Sequence, residues 1–375
     1  MTRGVLILAG DGPRTHAMIS ECERSGVSYE VIRFVDHLNQ PNLLAARLRH
    51  FDALRVDSPD RDFDSLAALY ETGRQQAEEN GFRSIRGSAA ELSSPGQIGS
   101  PAQLFFGLRR ATQLAERKAD ELGVPVSHRS ADIARAHDKL ATHHHLIEAG
   151  IEMPRLFGPV ASSEALMARL CETISGRVFL KLQHGSAAAG MIALACRSNG
   201  DMRATTTAVL TSDGPRATRK LQVLSDRTEI ARLVDALAPL GLFAERWFPR
   251  ASIDEGACDL RIVTVRDAVF LVLRASRYPM TNLHLGGSRL PADRLRDRMS
   301  EEAWLSVLRT ARETACQFPG AMSLGLDVAV DLSFRGHAVL EVNAFGDFVH
   351  GLENDGCTPA SALLGALVNH RGVAA

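Results

Sequence analysis

Three oxygen-bearing side chains near the C-terminus carry the chemistry most legible in this chain. In the stretch GLDVAVDLSFRGHAVLEVNAFGDF, Asp327, Glu341 and Asn343 lie on two strand-like runs. Glu341 and Asn343 are two residues apart on one run, so their side chains share a face. Asp327 sits on the run before it, and a turn around Arg335 and Gly336 would bring it alongside. Two carboxylates and an amide oxygen are hard ligands. They suit Mg²⁺, which takes oxygen donors and shares its shell with phosphate and water. Taken alone, the motif fits two surface acids and a turn asparagine on a hairpin equally well.

Further charged groups precede it. Lys181 stands just before the small-residue turn HGSAAAG. Such a turn leaves backbone N–H groups open to an anion, and the lysine supplies charge; a flexible hairpin with a surface lysine is the plainer alternative. AERWFPRASIDEGACDLRIVTV contributes Glu245, Asp259 and Arg261, and LRASRYPMTNLHLGGSRL contributes Arg274, Arg277, Asn282 and Gly286-Gly287. Arginines clamp phosphoryl or carboxylate oxygens bidentately, although each of these alone reads as a solvated charge. His143, His144 and His145 are consecutive on a predicted helix, about 100° apart, so they do not all face one metal. Trp247 and Trp304 read as core or hinge packing. No cysteine has a base beside it in sequence, which leaves thiol catalysis without support.

The elements that must position these groups follow from pattern. The chain has 375 residues, 45% apolar and 23% charged, with a formal net charge of −1. That length accommodates two or three domains, and near-zero charge argues against bulk nucleic-acid binding. The first apolar run, GVLILA, breaks at Gly10, too short for a secretory segment, and reads as a core strand. No apolar run approaches the ~18 residues of a membrane span. The six cysteines form no C-x-x-C pair, predicting reduced thiols in a cytoplasmic protein.

The N-terminal part alternates strand and helix: GVLILA, a helix from Thr15 to Gly26, YEVIRFV, ALRVDSP, then helices from Phe63 to Glu79 and Pro101 to Leu122. This βαβ-type pattern predicts a small sheet covered by helices. The turn Gly10-Asp11-Gly12-Pro13 lacks the third glycine of a dinucleotide fingerprint; a helix N-terminus holding a carboxylate or phosphate fits it better. ELSSPGQIGSPAQ reads as a surface loop. Beyond Pro125, DKLATHHHLIEAGI is a helix ending at Gly150. RVFLKLQ, MIALAC, KLQVL and LFAERW read as strands. Asp259 to Leu273 and Ser323 to Val342 read as an antiparallel sheet, with a helix from Glu301 to Phe318 between them.

The order of motifs resembles the ATP-grasp superfamily, and within it the RimK-type ligases related to glutathione synthetase. DK…GI..P is followed by V-x-L-K, G-S…G, A-E-R-W, D-L-R, T-N-L-H-L-G-G, G-L-D-V and L-E-V-N-A, from about Asp138 to about Gly351. The resemblance implies an α/β chain, α+β toward its C-terminus. A Rossmann-like domain would span 1–127, an ATP-grasp N-terminal subdomain with a mobile glycine-rich loop 128–244, and a C-terminal subdomain with the metal site 245–375. It further implies that Lys139 and Lys181 contact the α- and β-phosphates of ATP, and that Gly185, Ser186 and Gly190 belong to the closing loop. Glu245 and Arg246 would meet adenine, mainly through backbone groups. Asp259 would sit near the nucleotide and Asn282 near the γ-phosphate. Asp327, Glu341 and Asn343 would hold two Mg²⁺ ions, with Mn²⁺ as a substitute, and Arg261 and Arg274 would neutralise the transferred phosphoryl group.

Three departures stand out. Ala188 replaces a frequent loop glycine. Met280 occupies a position that RimK-type proteins give to a basic residue, with Arg277 a neighbouring substitute. Ala344-Phe345-Gly346-Asp347-Phe348 replaces the usual turn after the asparagine. The implied activity is ATP-dependent carboxylate–amine ligation through an acyl phosphate. A small-molecule kinase and a non-catalytic ATP-binding protein are the rival classes. An amino acid, a short peptide or a peptide end fits as substrate, to be chosen by the N-terminal domain, the Ser94-to-Pro101 loop and the turn after Asn343. His284, inside T-N-L-H, reads as a substrate or structural residue of the site. The resemblance also implies a homodimer or homotetramer.

Overall fold

The computed structural model describes residues 4–87, 96–171, 176–197, 199–346, 352–354 and 356–369. Parts of the expected surface loop (91–95) and of the turn after Asn343 (347–348) lie outside the described residues, as does the His284 side chain.

The N-terminal sheet is parallel, in the order β2 (Ser28–Ile32), β1 (Gly4–Leu8), β3 (Ala53–Val56). Every residue of β1 is buried, as a parallel strand covered on both faces requires. α1 (Pro13–Ser25) starts on proline and ends where Gly26 adopts φ 64°, a left-handed cap that glycine takes without a Cβ penalty. The expected strand Tyr29 to Val35 stops at Ile32, and α2 (Phe34–Asn39) begins immediately. The break falls at Arg33, whose Nε donates to Asp62 Oδ2 (2.8 Å). Phe34 then drops into the core and His37, one turn on, reaches Ala111 O (3.1 Å). Likewise the expected ALRVDSP strand ends at Val56. α3 (Leu43–Leu48) precedes β3.

α4 (Phe63–Glu79) and α5 (Pro101–Glu121) are capped by Asp62 and Ser100. They cross backbone to backbone. A Cβ on Gly73 would lie 1.9 Å from Gln103 O, and one on Gly107 would lie 1.9 Å from Leu69 O. After α6 (Ser130–His137) and α7 (Lys139–Glu148), β4 (Leu156–Pro159) and α8 (Ser163–Cys171) lead into a six-stranded antiparallel sheet. Its other strands are β5 (Arg177–Leu182), β6 (Ile192–Cys196), β7 (Met202–Thr211), β8 (Gly214–Leu224) and β9 (Leu242–Arg246), in the order β4-β9-β5-β6-β7-β8. α9 (Arg227–Leu237) packs Ile230, Leu233, Val234 and Leu237 against it.

The third sheet holds β10 (Ser252–Ile253), β11 (Gly256–Val265), β12 (Ala268–Ser276), β13 (Ser288–Leu290), β14 (Ser323–Val330) and β15 (His337–Asn343). Its main order is β13-β12-β11-β14-β15, with β10 beside β11. α10 (Glu301–Cys316) buries Trp304, Val307 and Ala311 in the core beneath it, so Trp304 is a packing residue. α11 (Pro359–Asn369) joins the two ends of the chain. Its Leu363, Leu364 and Leu367 pack with Val5 and Ile7 of β1 and with Val263, Val265, Phe270 and Val272 of the third sheet. Among the described residues no helix is long and apolar enough to cross a membrane.

A methyl group at position 107 meets main chain, which cannot rotate aside. Gly107→Ala is expected to lower stability by about 1–3 kcal/mol, read as a lower denaturant midpoint. Gly365→Ala in α11, where nothing lies within 4 Å, should be neutral or stabilising by up to ~1 kcal/mol.

Candidate functional site

The second and third sheets face each other across one cleft. Phe179, Lys181, Ala187, Ala188, Met191 and Glu245 line it from the second sheet and its turn. Arg250, Asp259, Arg261, Arg274, Met280, Thr281, Asn282, Asp327, Leu340, Glu341 and Asn343 line it from the third.

The acidic set lies on β14 and β15. Antiparallel register places Asp327 opposite Glu341 and Gly325 opposite Asn343, with a bulge after Asp327. The expected turn at Arg335 and Gly336 therefore does bring the three side chains to one cleft. Asn343 Nδ2 donates to Gly325 O (3.4 Å), which leaves its amide oxygen for a ligand. Among the described residues no three His, Cys, Asp or Glu side chains converge, so the candidate metal set is two carboxylates and an amide.

Basic groups surround that set. Lys139, the first residue of α7, places Nζ 3.0 Å from Glu341 Oε1 and also donates to Gly185 O. Lys181 Nζ pairs with Glu245 Oε1 and lies 3.3 Å from Leu340 O. Lys181 and Glu245 are diagonal neighbours on β5 and β9, where Lys181 pairs with Phe243 and Phe179 with Glu245, so both project to one face. Burial pushes the Glu341 carboxyl up, but Lys139 and Lys181 outweigh it and hold the group down at about 2.

Asp327 behaves oppositely. Arg261 Nε stands 2.9 Å from its Oδ1 and Arg274 Nη2 3.0 Å from its Oδ2. Burial nevertheless prevails over both arginines, and the Asp327 carboxyl lies above its ordinary range. Oδ1 is buried and accepts no hydrogen bond in proper alignment. An acceptor in that condition, beside an ionised Glu341 and an amide oxygen, fits a hard divalent cation.

Asp259 is saturated. Its Oδ1 accepts from Arg274 Nε (2.8 Å), and its Oδ2 takes Arg250 Nη1 (3.2 Å) and the Thr281 hydroxyl. Burial pushes its carboxyl up, and Arg274 and Arg250 bring it below the ordinary range. It lines the cleft but holds the arginines.

Where the small-residue turn meets the cleft, two alanines hold the backbone conformation that glycine favours. Ala187 and Ala188 both sit at positive φ, 50° and 58°, with Gly190 at 71°. Left-handed geometry at a residue with a Cβ costs roughly 1–2 kcal/mol. Ala188 O is anchored by the Thr207 hydroxyl (2.5 Å). Gly185, Ser186 and Gly190 flank the two alanines outside the cleft lining; Gly185 joins the site through Lys139.

Arg246 follows Glu245 on β9, with its side chain exposed and turned away from the cleft by alternation along the strand. One sequence expectation is corrected. Arg277 is exposed and does not line the cleft, so it does not substitute at position 280. Met280 itself is buried with Phe179, forming an apolar wall backed by Met191, Leu221, Trp247 and Leu285. Trp247 meets Phe179 edge-on at 5.1 Å. The histidine run serves separate segments: His143 Nε2 lies 2.8 Å from Pro154 O, and His145 Nε2 lies 3.1 Å from Gln317 O.

Arg250 was missed. It lies between β9 and β10 in FPRAS, where no periodicity marks it, and only its pairing with Asp259 reveals it.

No protein-family model and no curated protein matches the chain. Solved structures do resemble it. Carboxyaminoimidazole ribonucleotide synthase from Aspergillus clavatus, complexed with ATP, aligns at TM-score 0.58 and 13% identity over 98% of this chain and 77% of its own. The ATP-grasp ligase PsnB, complexed with precursor peptide PsnA2 and AMPPNP, gives 0.53 and 15% over 99% of each chain. D-alanine–D-alanine ligase from Bacillus anthracis gives 0.52 and 12% over 98% and 97%. At these identities the likeness is one of fold.

The depressed Glu341 group stabilises the fold fully above its unfolded value, ~4.3. That contribution is lost as pH falls toward about 2. Lys139→Met removes a neighbour that holds the group down, so the Glu341 titration followed by carboxyl NMR should move upward. The acid-dependent loss of stability should then be smaller than in the parent protein, and complete at a higher pH.

Proposed function

We propose that this chain, which has the ATP-grasp fold, is an ATP-dependent carboxylate–amine ligase acting on an amino acid or peptide. The observation that carries the reading is the cleft in which Asp327, Glu341 and Asn343 meet Lys181, Arg261 and Arg274, with Lys139 paired to Glu341 beside it. Phosphoryl transfer asks of a protein mainly charge offset and alignment, and this arrangement supplies both.

In this reading Lys139 and Lys181 hold the α- and β-phosphates, exchanging their contacts with Glu341 and Glu245 for phosphate oxygens. The apolar wall of Phe179, Met191, Met280 and Leu340 receives the base, beside the backbone of Glu245 and Arg246. Asn282 lies toward the γ-phosphate. Asp327, Glu341 and Asn343 would hold Mg²⁺, which would offset phosphate charge and polarise the transferred group.

The substrate carboxylate oxygen attacks the γ-phosphorus, and the bond to ADP breaks. Arg261 and Arg274 offset charge on the resulting acyl phosphate. The amine nitrogen then attacks the acyl carbon, phosphate leaves with the bonding pair, and the nitrogen releases a proton as the amide forms. The turn carrying Ala187 and Ala188 covers the cleft and excludes water that would hydrolyse the intermediate. PsnB was solved with a precursor peptide, which supports a peptide as one substrate class.

ADP release should be screened over amino acids and peptides, with mass detection of products. An amide with free phosphate supports the ligase, whereas a stable phosphate ester would establish a kinase. Nucleotide binding without turnover on any pair would leave a binding protein. Glu341→Ala is expected to reduce ADP formation by roughly 10²–10³-fold or more with its circular dichroism unchanged. Undiminished carboxylate-dependent ADP release from that variant would sink the assignment.

A further inference from the structure

Arg250 is a buried cation that the mechanism above does not use. Its side chain is 7% exposed, and its Nη1 lies 3.2 Å from Asp259 Oδ2 and 3.3 Å from Thr281 Oγ1. Its Nη2 donates to Pro279 O. Burying a guanidinium carries a large desolvation penalty that a single ion pair seldom offsets, and Asp259 already has Arg274 as partner. What Arg250 adds is a fork: it grips a carboxylate on β11 and, with its other contacts, the main chain and hydroxyl of the 279–281 segment. That segment leaves β12 and delivers Asn282 to the cleft wall. Its course is otherwise apolar on this side, through Met280 packed on Phe179. The main chain at Arg250 is itself anchored: it pairs with Asp331 as an isolated antiparallel β-bridge, and Ala251 N donates to Val330 O (2.7 Å) at the end of β14.

We infer that Arg250 is a positioning residue: through Pro279 and Thr281 it fixes the segment that presents Asn282 to the terminal phosphate of the nucleotide. The inference rests on the nucleotide reading above. Arg250 acts through Asn282 and discriminates a triphosphate from a diphosphate. Lysine at 250 keeps the charge beside Asp259 but loses the planar fork that joins Asp259 to Pro279 O.

The test is a double-mutant cycle on the full chain, with the affinities of AMPPNP and ADP measured by calorimetry in the presence of Mg²⁺. Arg250→Lys is expected to weaken AMPPNP binding roughly tenfold, with ADP affinity and the thermal midpoint held. Asn282→Ala should do the same, and the double variant should be no weaker than the poorer single. Thr281→Val cuts the tie from the loop side without removing a charged residue and should reproduce the pattern, so an unstable Arg250→Lys does not end the test. The inference is overturned if the variants bind AMPPNP like the parent protein. It is equally overturned if they weaken ADP and AMPPNP alike, or if their effects multiply with that of Asn282→Ala. A parent protein that binds neither nucleotide removes both this inference and the nucleotide reading. One that binds both but ligates nothing removes only the ligase assignment.

Discussion

A chain of alternating buried charges underlies the site. From Arg250, ahead of β10, the row runs through Asp259, Arg274, Asp327 and Arg261 on β11, β12 and β14, each within 3.2 Å of the next. Inside a protein an unpaired charge is costly, whereas an alternating row lets each member offset its neighbours. Antiparallel register sets the row up: Asp259 faces Arg274 and Arg261 faces Asp327 across adjacent strands. Sheet geometry and electrostatics thus specify each other. A one-residue slip of β11 would turn Asp259 and Arg261 to the opposite face, where Leu260 and Ile262 now sit in the core.

The row leaves its two carboxylates in different conditions. Asp259 has every contact filled, while Asp327 keeps a buried oxygen without a hydrogen bond beside Glu341. Glu341 in turn belongs to a second charge system, paired with Lys139 at the start of α7. The two systems meet between β14 and β15, where Asp327 and Glu341 are register partners. The cleft is therefore a place where opposite charges are held close but incompletely satisfied, as the proposed binding of a polyanion with its metal requires. Its other wall is apolar, from Phe179 and Met280. Polar and apolar halves on one cleft match a nucleotide, whose base and phosphates make opposite demands on their surroundings.

Other parts of the molecule secure this arrangement at a distance. Asp138 caps α7 through Leu140 N and Ala141 N, and its carboxylate also takes the Gln183 amide at 3.0 Å. Lys139 N donates to Gln183 O (3.1 Å). The start of α7 is thereby fixed to the end of β5, which is what carries Lys139 to Glu341. His184, next in line, stacks on Phe105 with ring centroids 4.1 Å apart, joining the small-residue turn to α5. The glycine-mediated crossing of α4 and α5 then settles where Phe105 can stand.

Local pattern determined much of this protein. The βαβ alternation, the helix caps at Asp62 and Ser100, the Lys181 strand and the D-x-x…E-x-N spacing are set by side-chain period and turn chemistry within short windows. So too is the convergence of Asp327, Glu341 and Asn343, because a hairpin's register follows from its turn. Tertiary structure decided what those windows do not contain. Arg33 ended a strand because Asp62, far along the chain, offered it a carboxylate. Met280 became a cleft wall rather than a departure because Phe179 of another sheet packs on it. Arg277 went to solvent, and Arg250, unmarked by any period, became the buried cation. A charge or methyl group acquires its role from partners distant in sequence, and only the packing of three sheets brought those partners within reach.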